Sequence, residues 1–147
     1  MRAGFSILEL VVVTAILVVV AGGAALVWGR VEAAVALERG VRQLAGELGV
    51  ARALAVASAG RVRIALRTGA DRYERQRATD DDGFATDHVV ALPHGIRVAS
   101  VGSGGDLTFS ARGDGENATV VLADRRGVRR ALVLNQRGRV TIEGAAP

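Results

Sequence analysis

The sequence lacks cysteine and lysine altogether, and across 147 residues it holds only two Pro, one Trp, one Tyr and three Phe. Without cysteine, a disulfide scaffold, thiol catalysis and thiolate metal sites are excluded. An extracytoplasmic location is not, because a domain of this size folds without disulfides. The shortage of aromatics leaves Val, Leu, Ile and Ala to build the core, and it removes base stacking as a way to hold single-stranded nucleic acid. All 19 basic residues are arginine, so the formal charge of +4 does not fade at high pH. Two sources account for that bias: a GC-rich coding sequence, or a surface that binds anions. No catalytic triad, metal-ligand cluster or phosphate loop is visible, and no motif links His88 or His94 to a serine or acid. The chain therefore reads as no enzyme, with no cofactor, no metal and no small-molecule substrate.

What is abundant is apolar, and much of it comes first. Half of the residues are hydrophobic and mean hydropathy is +0.28. The run from Phe5 to Trp28 contains no Pro and would make about 36 Å of helix, enough to cross a hydrocarbon core of about 30 Å with some tilt. Trp28 and Arg30 close it as interfacial anchors do. A cleaved signal peptide does not fit, because the run is too long and Ala21–Ala25 leads straight into Leu26, Val27 and Trp28. Removing the anchor leaves roughly 115–120 residues, room for one domain. Inside the run sits one carboxylate, Glu9. Burying such a group in hydrocarbon costs about 2.5–3.5 kcal/mol even on lenient scales, so it calls for a function.

The stretch Gly4-Phe5-Ser6-Ile7-Leu8-Glu9-Leu10, behind the short basic leader Met1-Arg2-Ala3-Gly4, resembles the class III leader of type IV pilins and type II secretion pseudopilins. The resemblance implies cleavage after Gly4 by a prepilin peptidase, methylation of the new N-terminal Phe5, and an assembly role for Glu9. It also implies single-pass residence in a bacterial inner membrane, with the C-terminal domain in the periplasm or outside the cell. The partners it implies are membrane lipid before assembly and other pilins or pseudopilins, through the N-terminal helix, afterwards. Physics supplies a reason for the acid. Cleavage leaves a positive amine on Phe5, four residues from Glu9, and pairing offsets part of the desolvation of both charges. The pair forms on one helix or, in a staggered bundle, with the amine of a neighbour, where it would set the axial register. The alternative is an acid tolerated near a helix start, where the dipole favours it.

Beyond Arg30 the helical period continues. Leu37, Val41, Leu44, Leu48, Ala51 and Ala55 fall on one stripe at alternating spacings of four and three, while Glu38, Arg39, Arg42, Glu47 and Arg52 fall off it. One helix is therefore expected from about Phe5 to about Ser58, with Gly22 and Gly23 mid-span. A coiled-coil seam would give a similar stripe, but this one is short and rich in Ala. At Ala59-Gly60 the period changes to two, and short strands follow at 62–66, 73–77, 89–92, 96–101, 107–109, 118–123, 128–135 and 140–142. Gly-containing turns and a flexible 102–105 connection separate them. The fold class expected is α+β and pilin-like: a long N-terminal helix packed on antiparallel sheets of about seven short strands. The divisions are a leader at 1–4, a transmembrane half-helix at 5–29, an amphipathic half at 30–58 and a β-rich globular domain at 59–147. The acids of the 79–83 loop fail the EF-hand template at Ala78 and Val89, leaving Asp80, Asp82 and Asp87 as a fallback cation site.

Leu92-Pro93-His94-Gly95-Ile96, Leu107-Thr108-Phe109 with Gly113, and Gly138-Arg139-Val140 resemble the globular domain of the minor pseudopilin H and of FimT/FimU-type pilins. Two functions follow. One is structural: a minor pseudopilin of a type II secretion system, built into a short periplasmic filament. The other is a DNA-binding minor type IV pilin. Arg125, Arg126, Arg129, Arg130, Arg137 and Arg139 cluster in sequence near the C-terminus, and the first four flank an expected turn at Gly127. Duplex phosphates would bind such a patch with steep salt dependence. The family's DNA-uptake members carry a basic Gly-Arg-x-Arg element. Here the matching place reads Gly138-Arg139-Val140-Thr141, so only Arg139 transfers.

Overall fold

In a computed structural model the described residues are 7–144, with the side chains of 24–27 and of Ser103 also left out. The expected helix is present as α1, unbroken over Ile7–Ala57. By its contacts the chain divides after Ala33 into two compact units. In the first unit α1 is apolar and its described side chains stand exposed, apart from a half-buried Ala33. Its most apolar 18-residue window has a mean hydropathy of 2.8, long and apolar enough to cross a membrane.

In the second unit α1 packs on two antiparallel sheets, and its buried stripe is the expected one: Leu37, Val41, Leu44, Leu48, Ala51 and Ala55 are all at most 2% exposed. On the other face Arg42 Nε donates to Glu38 Oε1 at 3.1 Å, the i,i+4 pair that helix geometry allows. The helix stops at Ala57 through a crossing of hydrogen bonds, Gly60 N to Ala55 O at 3.1 Å and Ala59 N to Val56 O at 3.2 Å. Ala59 takes the left-handed conformation there, at φ 48°, a place that usually falls to glycine.

Eight strands follow, β1 (Val62–Leu66), β2 (Arg72–Ala78), β3 (Phe84–Ala91), β4 (Arg97–Val101), β5 (Asp106–Phe109), β6 (Ala118–Ala123), β7 (Arg129–Leu134) and β8 (Val140–Glu143). They form one sheet in the order β3-β2-β1-β5 and a second in the order β4-β6-β7-β8. Two expectations need correction. β3 starts at Phe84 rather than Val89, because residues 84–88 pair with β2 across a bulge although all but Phe84 are exposed. The 102–105 connection is a 3₁₀ turn at Ser103–Gly105. Gly105 holds φ 98°, and a Cβ there would stand 2.6 Å from the Leu66 carbonyl oxygen, so only glycine fits.

Val62, Ile64, Leu66, Leu107 and Phe109 from the first sheet meet Val98, Val120, Leu122, Leu132 and Leu134 from the second around the α1 stripe in one core. A stitch joins the sheets: Gly69 N in the β1–β2 turn donates to Val98 O at 2.8 Å, and Val98 N donates back to Ala70 O at 2.9 Å. The unit also has two distinct ends. Gly40 of α1 lies against Pro93, Ile96 and Leu122, with room for a Cβ only at 3.4 Å from the first two. Twelve residues later Arg52 Nε donates to Gly113 O at 3.0 Å, and Gly138 packs so closely there that a Cβ would collide with the Gly113 carbonyl. The β3–β4 and β6–β7 turns therefore lie at the end where α1 enters, and the β7–β8 turn lies at the end where α1 stops.

Candidate functional site

Gly4 and Phe5, the expected cleavage point, lie outside the described residues. Glu9 lies inside them, in the first turn of α1, where the helix dipole favours an acid. Its side chain is exposed among Ile7, Leu8, Leu10 and the valines that follow. Between Glu9 and Trp28 the other polar side chain is Thr14, whose hydroxyl donates to Val11 O at 2.9 Å, so the backbone absorbs it without a partner helix.

The arginines divide into two populations. Those of the first sheet are paired: Arg61 with Asp82 at 2.5 Å, Arg63 with Asp106 at 2.8 Å, Arg75 with Glu47 and Asp87 at 3.3 and 3.0 Å, and Arg77 with Asp87 at 2.6 Å. Asp87 is the extra residue of the β2–β3 bulge, between the Arg75–His88 and Gln76–Thr86 pairings. The bulge re-aims its carboxylate toward the two guanidinium groups, a common use of bulges. Partial burial pushes the Asp87 carboxyl up, but hydrogen bonds from Arg77 and Arg75 outweigh it and hold it below the usual range. These pairings overturn the fallback cation site, since Asp82 and Asp87 serve different arginines. No group of three or more acids or histidines among the described residues is placed to hold a metal ion. The shallow hollow on the outer face of this sheet is similarly self-satisfied. Arg63 Nε donates to Gln76 Oε1 at 2.7 Å, and Gln76 Nε2 donates to Glu74 Oε2 at 3.0 Å. The Arg63 guanidinium also lies 4.1 Å from the Phe84 ring centroid.

The second sheet carries the other population. Register places Arg97, Ala123 and Arg129 in one cross-strand row and Val98, Leu122 and Arg130 in the next. The β6–β7 turn between them adds Arg125 and Arg126. Asp124, 3% exposed, shapes that turn: its Oδ1 accepts from the backbone N–H of Arg126 and of Val128 at 2.8 and 2.9 Å. Burial of this acid is thus matched by hydrogen bonds. Arg125 Nη2 sits 2.7 Å from His94 Nε2, its stem lying over Gly95. Among the described residues no ion pair engages Arg97, Arg125, Arg126, Arg129 or Arg130, and the nearest exposed acid in register is Glu143, opposite Ala131.

Of the five arginines singled out in the sequence, Arg125, Arg126 and Arg129 gather at this tip, while Arg130, half-buried, shares the face of its core partner Leu122 on the other side of the sheet, and Arg139 lies elsewhere. Arg139 belongs to the β7–β8 turn, where its N–H donates to Asn135 Oδ1 at 2.9 Å. The length of β7, about 17–20 Å, separates it and Arg137 from the cluster. Sequence reasoning missed Arg97, which reaches the patch through strand pairing across 26 residues of chain. It also missed the His94–Arg125 contact, for which nothing local gives a signal.

No curated protein matches the sequence significantly. The fold matches that of the minor pseudopilin EpsH from the type 2 secretion system of Vibrio cholerae, at 12% identity and a TM-score of 0.64 over 74% of this chain and 96% of that one. It also matches the type IV minor pilin FimU of Pseudomonas aeruginosa, at 18% identity and a TM-score of 0.61 over 75% and 92%. At such identities the likeness concerns the fold: a long helix on antiparallel sheets, as in pilins. A family model described as type II transport protein GspH matches residues 40–138, from the close approach of α1 at Gly40 to the turn at Gly138. The chain belongs to the GspH family.

Proposed function

We propose that the chain is a minor pseudopilin of a type II secretion system, anchored in a bacterial inner membrane with its β unit in the periplasm. A prepilin peptidase cuts after Gly4 and methylates Phe5, and α1 then joins the helices of other pseudopilins in a short filament that drives export. One observation carries this reading: a leader-like segment at 4–10 runs directly into an apolar helix that continues, without a break, into a GspH-family domain. Glu9 is the assembly residue, pairing with the amine of Phe5 on its own chain or a neighbour's. The test is the intact mass of the chain from cells that contain a prepilin peptidase. It should begin at methylated Phe5, and a chain still starting at Met1 would sink the assignment.

The second reading, a minor type IV pilin that binds DNA, draws support from the unpaired Arg125, Arg126, Arg129 and Arg130. It predicts a gel shift of the detergent-solubilised chain with duplex DNA that weakens steeply between low and moderate salt. Absence of any shift at low salt would remove it.

A further inference from the structure

The unpaired arginines lie at one particular end of the β unit. Leu122, on the last turn-ward stretch of β6, touches the level of Gly40, where α1 enters, and the turn that follows carries Arg125 and Arg126. Arg97 and Arg129 flank Ala123 beside it. Only twelve residues separate Gly40 from Trp28, where the apolar run closes. Even fully extended, that is about 40 Å of chain, so a bilayer surface at the end of the apolar run is within this tip's reach.

The tip is not merely basic. Between Arg126 and Arg129 it presents Val128, 51% exposed, which closes the turn opposite Asp124, with Gly127 at φ 85° making the turn. Guanidinium groups match phosphate oxygens in geometry and charge. A lone aliphatic side chain among them suits the boundary between headgroups and acyl chains. Duplex DNA would use the arginines, but it offers an aliphatic side chain only the thymine methyl inside the major groove. We propose that, while the chain resides in the membrane, the β6–β7 tip docks on anionic phospholipid headgroups of the leaflet from which α1 emerges. Arg97, Arg125, Arg126 and Arg129 bind the phosphates, and Val128 dips beneath them. The inference rests on α1 being a bilayer anchor.

The full chain suits a direct test, because its lack of cysteine makes a Val128→Cys variant uniquely labelled. The chain is reconstituted in vesicles of phosphatidylcholine with or without phosphatidylglycerol, and flotation first checks that it is anchored. With phosphatidylglycerol, a fluorophore at position 128 should be quenched by spin-labelled lipid, and the quenching should fall as salt rises. A label at Gln136→Cys, in the turn at the other end of the β unit, should stay unquenched. Replacing Arg125, Arg126 and Arg129 with Ala should weaken the salt-sensitive association about a hundredfold, at about fivefold per surface arginine, and so remove the quenching. A floating chain whose position 128 behaves alike in both vesicle types overturns the proposal while leaving the anchor intact. A chain that does not float overturns both. Duplex DNA that shields the label from an aqueous quencher, where phosphatidylglycerol does not, would assign the tip to nucleic acid instead.

Discussion

At the scale of single residues, the informative ones break a local rule. Ala59 occupies a left-handed position at the end of α1, where a Cβ costs roughly 1–2 kcal/mol. Ala59→Gly should therefore stabilise the fold by up to about 1 kcal/mol once glycine's own entropy is set against the gain, measured as a higher urea midpoint. A lower midpoint would mean the strain is relieved elsewhere. Tyr73, 1% exposed, is held to the helix by Gln43 Nε2, 3.5 Å from its hydroxyl. Burial raises its pKa to about 12, the Gln43 contact opposing only in part. The folded form favours the neutral phenol, so this stability is complete below about pH 10 and lost as pH climbs from there toward 12. The loss is about 2–3 kcal/mol at most. Tyr73→Phe should flatten the decline between pH 10 and 12, and an equally steep fall in that variant would contradict the argument.

At the scale of elements, α1 and the β6–β7 hairpin were legible because each announces itself locally. Six residues at spacings of four and three mark the buried stripe, and Gly127 between two arginine pairs marks the turn. Leu44 is the central test of that stripe: fully buried, its replacement by Ala should cost about 2–5 kcal/mol, read from denaturant curves. An Ala variant within 1 kcal/mol of the parent would show that the helix is not seated as described. β3 was legible only in part, since Thr86, Asp87 and His88 bury little and draw their strand character from pairing with β2. The bulge that turns Asp87 toward Arg75 and Arg77 has no sequence signal. The same limit explains the candidate site. Arginines adjacent in sequence could be grouped at one end, but Arg139 falls at the wrong end of β7 and Arg97 joins from a distant strand. Sequence proximity carries no knowledge of which end of a strand faces which way.

At the scale of the whole molecule, one chain carries a membrane-compatible helix and a compact β unit, and Glu9 is the test of what links them to neighbours. Glu9→Ala removes a charge from an apolar run and should insert in the membrane at least as well as the parent. On the proposed pairing with the Phe5 amine, it should then fail to enter filaments. Crosslinking of the variant to neighbouring pseudopilins at the parent's level would defeat the pairing argument. The charge asymmetry of the β unit belongs to this scale too. Its first sheet is closed electrically by internal pairs, so raising salt should affect stability little and contacts of the second sheet much more.

The stripe from Leu37 to Ala55 has a mechanical corollary. Its six side chains lie in a row along the helix axis, so a tug along α1 loads them side by side, in shear. Peeling would break them one after another, whereas shear must dislodge Leu37, Val41, Leu44 and Leu48 together from sockets in both sheets. The stitch at Val98 further stops the two sheets from parting under the pull. A β unit mounted in this way is a firm grip on a rope: it resists strongest in the direction in which a filament under load would draw it.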